Sequence, residues 1–193
     1  SKDFYDILSE HNKTFIFPQK HMVSTIDEFG LTTDSNCHEI AEADNPSMWV
    51  TTKKEKSGRF KNRCLQEVLD IEAAMNTDLM GAVLYATDKM DIPKTRKALI
   101  IFSDFEDNPA IKFSHHADGI DLSKIAVILF WSDTAQKERG AIAKGYAKNF
   151  KKFAEEHGAN SVRMYSLSSV VGDSNAIKNV IERLVDDSYN RRP

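Results

Sequence analysis

Apolar residues follow two rhythms in this chain, and from residue 59 onward the two alternate. Ala98 to Phe102 and Ile125 to Trp131 are unbroken apolar runs, the pattern of strands covered on both faces of a parallel sheet, and they predict strands over 97–102 and 124–131. Ser161 to Leu167 predicts a further strand. Helical spacing fills the intervals. Phe60, Cys64, Val68, Ile71 and Met75 share one face of a helix over 59–75. Leu79, Val83, Ala86 and Met90 share a face of the next, which Asn76-Thr77-Asp78 can cap and Pro93 ends. A helix from about Thr134 to Glu156 places Ile142, Tyr146, Phe150 and Phe153 inward, with Gly158 as a left-handed cap. Asp173-Ser174 caps a closing helix with Ile177, Val180, Ile181 and Leu184 on its buried stripe.

The segment before residue 59 is less regular. Phe4, Ile7, Leu8 and Phe15 predict a helix over 2–16 that Pro18 stops. His21 to Phe29 and Ser47 to Thr52 read as short strands, and the polar segment Thr32 to Pro46 reads as a loop with one helical turn near His38 to Ala43. The alternation of strand and helix predicts an α/β fold: an open, mostly parallel sheet with helices on both faces, in a single domain over 1–193. If Ala98 to Phe102 is buried on both faces, it needs a strand on each side, and 124–131 supplies only one. Either His21 to Phe29 moves in beside it, bringing Asp27 near Asp104, or a strand preceding Ser1 takes the place and His21 to Phe29 lies one position further out.

Composition narrows the function classes. With 193 residues and 41% apolar content the chain can bury a sizeable core. Lys and Arg total 26 against 29 Asp and Glu, a formal charge of −3, which disfavours nucleic acid and anionic membranes as partners. No apolar run approaches the roughly 20 residues of a spanning helix. Cys37 and Cys64 make no Cys-x-x-Cys pair, and Cys64 sits on an apolar helix face, so neither a disulfide framework nor a cysteine nucleophile is expected. Lys137, Arg139, Lys144, Lys148, Lys151 and Lys152 make one helix basic, but Glu138, Glu155 and Glu156 interrupt it, as on an ordinary solvated face. The adjacent pair His115-His116 points apart on any regular element and makes a poor metal site.

Open parallel sheets bind ligands beyond the carboxyl ends of their strands. There the sequence offers Thr77 at a helix start and Asp104 after the strand Leu99-Ile100-Ile101-Phe102-Ser103. A hydroxyl and a carboxylate suit a hard cation such as Mg²⁺. On pattern alone the plainer reading has the edge, with Thr77 only a helix cap and Asp104 a solvated carboxylate. Glu106 and Asp107 follow closely and allow an alternative, an Mg²⁺-dependent hydrolase or phosphoryl-transfer enzyme using Asp104, Glu106 and Asp107. Gly140-Ala141-Ile142-Ala143-Lys144-Gly145 precedes Tyr146 rather than Lys-Ser/Thr, so no phosphate loop supports that alternative.

The run from Arg59 to Asn108, with NTDLMGA and then KALIIFSDFEDN, resembles the von Willebrand factor type A (vWA) family, and the later order of elements agrees. The resemblance implies a Rossmann-like sheet and a protein-interaction module of adhesion type rather than an enzyme. In that family a metal-ion-dependent adhesion site combines an Asp-x-Ser-x-Ser segment after the first strand, a Thr before a later helix and an Asp at the end of the fourth strand. Thr77 and Asp104 match the last two. They would hold a divalent cation whose open position accepts an acidic side chain of a partner protein. No Asp-x-Ser-x-Ser occurs in the chain. The helix over 2–16 directly follows that motif in the family, so the motif and its strand are expected upstream of Ser1, and the cation depends on them. The other outcome is a degenerate, metal-free relative. Phe105 stands where the family commonly has Gly after the strand-end Asp.

Overall fold

The structure is a computed structural model, and it describes residues 19–22, 38–41, 78–90, 97–106, 119–133 and 137–189. The predicted helices over 2–16 and 59–75, the strand over 47–52, and Thr77, Asp27, Asp107, Cys37, Cys64 and His115-His116 lie outside the described residues.

Two short strands near the start of the chain, β1 (Gln19–Met22) and β2 (His38–Ala41), pair as an antiparallel ribbon with Gln19 opposite Ala41. Three parallel strands form the main frame: β3 (Lys97–Ser103), β4 (Ile125–Trp131) and β5 (Ser161–Ser166), in that spatial order. Their registers pair Lys97 with Ile125, Ser103 with Trp131, Ala126 with Ser161 and Trp131 with Ser166.

Among the described residues three α-helices accompany the sheet: α1 (Leu79–Lys89), α2 (Lys137–Glu156) and α3 (Ser174–Tyr189). Parallel neighbours need a crossover, and α2 lies on the one between β4 and β5. On one sheet face, Leu99, Ile101, Val127, Leu129 and Val162 pack with residues of α1 and α2. On the other face, Ala126, Ile128 and Phe130 pack against Ile177, Val180, Ile181 and Leu184 of α3. Among the described residues the main sheet is therefore an open, all-parallel, three-stranded α/β sheet with helices on both faces.

The helix ends follow local chemistry. Asp78 is the N-cap of α1 and accepts a hydrogen bond from the Gly81 N–H at 2.8 Å. Asp173 caps α3 by accepting from the N–H groups of Asn175 and Ala176 at 2.9 and 3.0 Å. Gly158 ends α2 at φ 85°, a left-handed conformation open to glycine.

Four expectations change. First, the centre of the sheet is β4, buried from Ile125 to Phe130, whereas β3 buries Leu99 and Ile101 and exposes Ala98 and Phe102. Among the described residues β3 pairs only with β4. Second, residues 38–41 form a strand rather than a helical turn. Third, His21 and Met22 pair with β2 in an antiparallel ribbon and, among the described residues, not with the parallel sheet; residues 23–29 of the expected strand lie outside the described residues. Pairing β1 with a segment so near in the chain closes a short loop, which costs less entropy than a distant partner.

Fourth, α2 is rotated from its expected position. Ile142 and Tyr146 are 53% and 41% exposed, while Gly140, Ala143, Ala147, Phe150, Phe153 and Ala154 are buried. The buried stripe consists mostly of small residues, which bring the helix axis close to the sheet and let Phe150 and Phe153 fill the remaining space. A reading weighted toward large apolar residues picks the wrong edge of that stripe.

Candidate functional site

The carboxyl ends of the three strands form one rim. Ser103 and Asp104 end β3, Ser132 and Asp133 follow β4, and Ser166, Ser168 and Ser169 end β5. Ser132 N–H donates to the Ser103 carbonyl at 3.1 Å, which carries the sheet pairing one step past the strands and holds the Ser-Asp pairs side by side.

Asp104 is exposed. Its Oδ1 accepts from the Glu106 N–H at 3.1 Å, a tight local turn, and its Oδ2 accepts from no described residue. Ser103 Oγ accepts from the Phe105 N–H at 2.9 Å. Phe105 is 2% exposed and has φ 60°. That is the left-handed conformation glycine adopts freely and a bulky residue adopts at a cost of roughly 1–2 kcal/mol. Burial offsets that cost: the ring packs 5.8 Å from Phe150 of α2. The backbone at Phe105 thus has a shape that a Gly would give, and the side chain adds an anchor.

Asp133 is engaged on both oxygens. Ser168 N–H donates to Oδ1 at 2.9 Å and Ser168 Oγ donates to Oδ2. Partial burial pushes the Asp133 carboxyl up, but the Ser168 hydroxyl and N–H outweigh it and hold the group below the usual carboxylate range. The same turn is tied by Ser169, whose Oγ donates to the Ser166 carbonyl at 2.7 Å. Asp133 therefore clamps the short 3₁₀ turn Leu167–Ser169 onto the end of β4.

Of the two residues that the sequence singles out, the structure places Asp104 on the rim, and Thr77 lies outside the described residues. The cap position of α1 is Asp78, which is 4% exposed, so the helix does not depend on Thr77 for its N-cap. Glu106 is exposed two residues beyond Asp104. Asp133 and Ser168 are rim residues that sequence reasoning misses. Their one signal is the repeat of Ser-Asp at 103–104 and 132–133, each close behind an apolar run.

The rim suits a hard cation only as part of a larger set. Mg²⁺ takes one or two protein carboxylates, keeps several waters and prefers oxygen donors. Asp104 offers one carboxylate oxygen that faces no donor among the described residues, and among those residues no three His, Cys, Asp or Glu side chains converge. Among the described residues no helix is long and apolar enough to cross a membrane. No family model, no curated protein and no solved structure matches the chain.

Proposed function

We propose that this chain is a vWA-like protein-interaction module that binds a partner at the carboxyl-end rim of its sheet through a divalent cation. Asp104 holds the cation, and the vWA resemblance names Thr77 as a second ligand. The observation that carries this reading is the state of Asp104: an exposed strand-end carboxylate on an open parallel sheet, with one oxygen facing no donor among the described residues. Support also comes from Phe105, which holds a glycine-like backbone where the vWA family commonly has Gly. Mg²⁺ would supply an electrophilic site at which a partner's Asp or Glu completes the ligand set. The protein's own task is to present Asp104, fix the loop through Phe105 and keep Asp133 engaged elsewhere.

Calorimetric titration of the full-length chain with Mg²⁺, paired with thermal melting, tests the reading. Saturable heat and a raised melting temperature are expected, and both should disappear in Asp104→Ala. Absence of heat and of any melting shift in the unaltered protein overturns the cation. Metal-dependent hydrolysis of a phosphate ester, lost in both Asp104→Ala and Glu106→Ala, would assign the rim to a hydrolase instead.

A further inference from the structure

We infer that the outer stripe of α2 is the self-association surface of this protein, joining two copies as an antiparallel helix pair about a twofold axis at Gly145. Three features of α2 converge on this. Gly145 sits at the middle of a 20-residue helix, exposed, and a Cβ there would meet nothing within 4 Å. Glycine is the poorest helix former after proline, and no described neighbour requires its small size. A second helix crossing at that point does, because a missing side chain allows two backbones to approach closely.

The residues around Gly145 match that crossing. At 100° per residue, Glu138, Ala141, Gly145, Asn149 and Lys152 fall along one outward-facing stripe, and all five are exposed. Glu138 and Lys152 stand seven positions before and seven after Gly145. In an antiparallel pair centred there, Glu138 of each copy faces Lys152 of the other, so one symmetric contact yields two opposite-charge pairs. Lys152 can turn to such a partner. Its side chain is 78% exposed, and its contact with Glu156 at 3.6 Å is a surface pair of little strength.

The exposed apolar pair settles on the same seam. Ile142 and Tyr146 lie together on one flank of the stripe. The twofold axis brings both copies' pairs to the same side, where they alternate along the seam and cover one another. Their exposure in the single chain is thereby accounted for. One helix on one helix is smaller than the roughly 1,200–2,000 Å² of stable interfaces, so association in the micromolar range is expected.

Sedimentation velocity of the full-length chain from about 1 to 200 µM reads this directly, with a monomer-to-dimer shift expected across that range. Glu138→Lys alone and Lys152→Glu alone replace two attractions with two repulsions and should each weaken self-association by about tenfold or more. An equimolar mixture of the two variants should dimerise again, because in a pair made of one copy of each variant both contacts across the seam once more join opposite charges. Gly145→Leu should abolish the dimer. Circular dichroism identical to the unaltered protein confirms that the exposed substitutions leave the fold intact. A chain that stays monomeric to the top of that concentration range, a dimer that survives Lys152→Glu, or a mixture that fails to re-form one overturns the inference.

Discussion

The ends of β3 and β4 carry the same Ser-Asp dipeptide in the same sheet position, yet the two aspartates have different work. Asp133 takes two hydrogen bonds from Ser168 and fastens the turn after β5. Asp104 takes one bond from its own loop, and its other oxygen meets no described donor. The cause lies in the neighbour on one side. β4 has β5 beside it, and the turn after β5 brings the Ser168 donors within reach; β3 is flanked only by β4 among the described residues. Asp104 therefore has no described donor of that kind to fold onto. Among the described residues the fold makes no second claim on Asp104, and the proposed cation site rests on that difference.

Removing carboxylates in order of their structural engagement tests this contrast. Asp187 is the reference at the committed end. It pairs with Arg163 of β5, whose Nη2 donates at 2.8 Å, and the Asp187 carbonyl accepts from Asn160 Nδ2 at 2.8 Å, which ties the last turn of α3 to β5. With its side chain 15% exposed, Asp187→Ala should destabilise by about 1–2 kcal/mol, measured by urea unfolding, after allowing for solvent around the half-exposed arginine. Asp133→Ala should cost about 1 kcal/mol, the low end for a charged acceptor because the Ser168 contacts lie near solvent. It should leave Mg²⁺ binding as it is.

Acid acts on the same difference. The Arg163 hydrogen bond holds Asp187 below its usual range, against the opposing effect of burial, and Ser168 does the same for Asp133. A depressed folded-state value means that the stabilisation is present above the unfolded value of about 3.9 and is lost as pH falls through the folded value. The stability gap between the unaltered protein and Asp187→Ala should accordingly be constant from about pH 5 to 7 and shrink as the pH falls below the unfolded value. Asp104→Ala comes last, with a change within about 0.5 kcal/mol. Its effect belongs to cation binding, so the order of the variants reverses when calorimetry replaces unfolding. A large loss of stability in Asp104→Ala would place it with Asp133 and remove the distinction.

Most of the parallel core is legible in the sequence because its signals are local. Unbroken apolar runs mark β3 and β4, Asp173 and Gly158 mark helix ends, and Ile177, Val180, Ile181 and Leu184 lie on the stripe of α3 that their spacing predicts. Two departures have separate origins. Ile142 and Tyr146 are expected inward because large residues dominate an apolar stripe, whereas close packing on the sheet favours Gly140, Ala143 and Ala147. The β1–β2 ribbon is hidden because pairing is a property of two segments, and His38 to Ala41 alone has too few residues to show a period. At the rim, Asp104 is legible as a strand-end acid. The engagement of Asp133 is not, since its donor lies 35 residues away.

Phe105 joins the two proposed surfaces mechanically. Its chain neighbour Asp104 is exposed at the rim, while its own ring is seated on Phe150, on the inner side of the helix whose outer side carries the Glu138–Lys152 stripe. A shift of α2 along or about its axis moves the seat of that ring, and a ring held in a left-handed backbone has little slack to absorb it. Under the two proposals, the Phe105–Phe150 contact is the described link between the dimer seam and the cation loop. Any coupling through that contact is reciprocal: the factor by which a cation alters self-association is the factor by which self-association alters cation affinity.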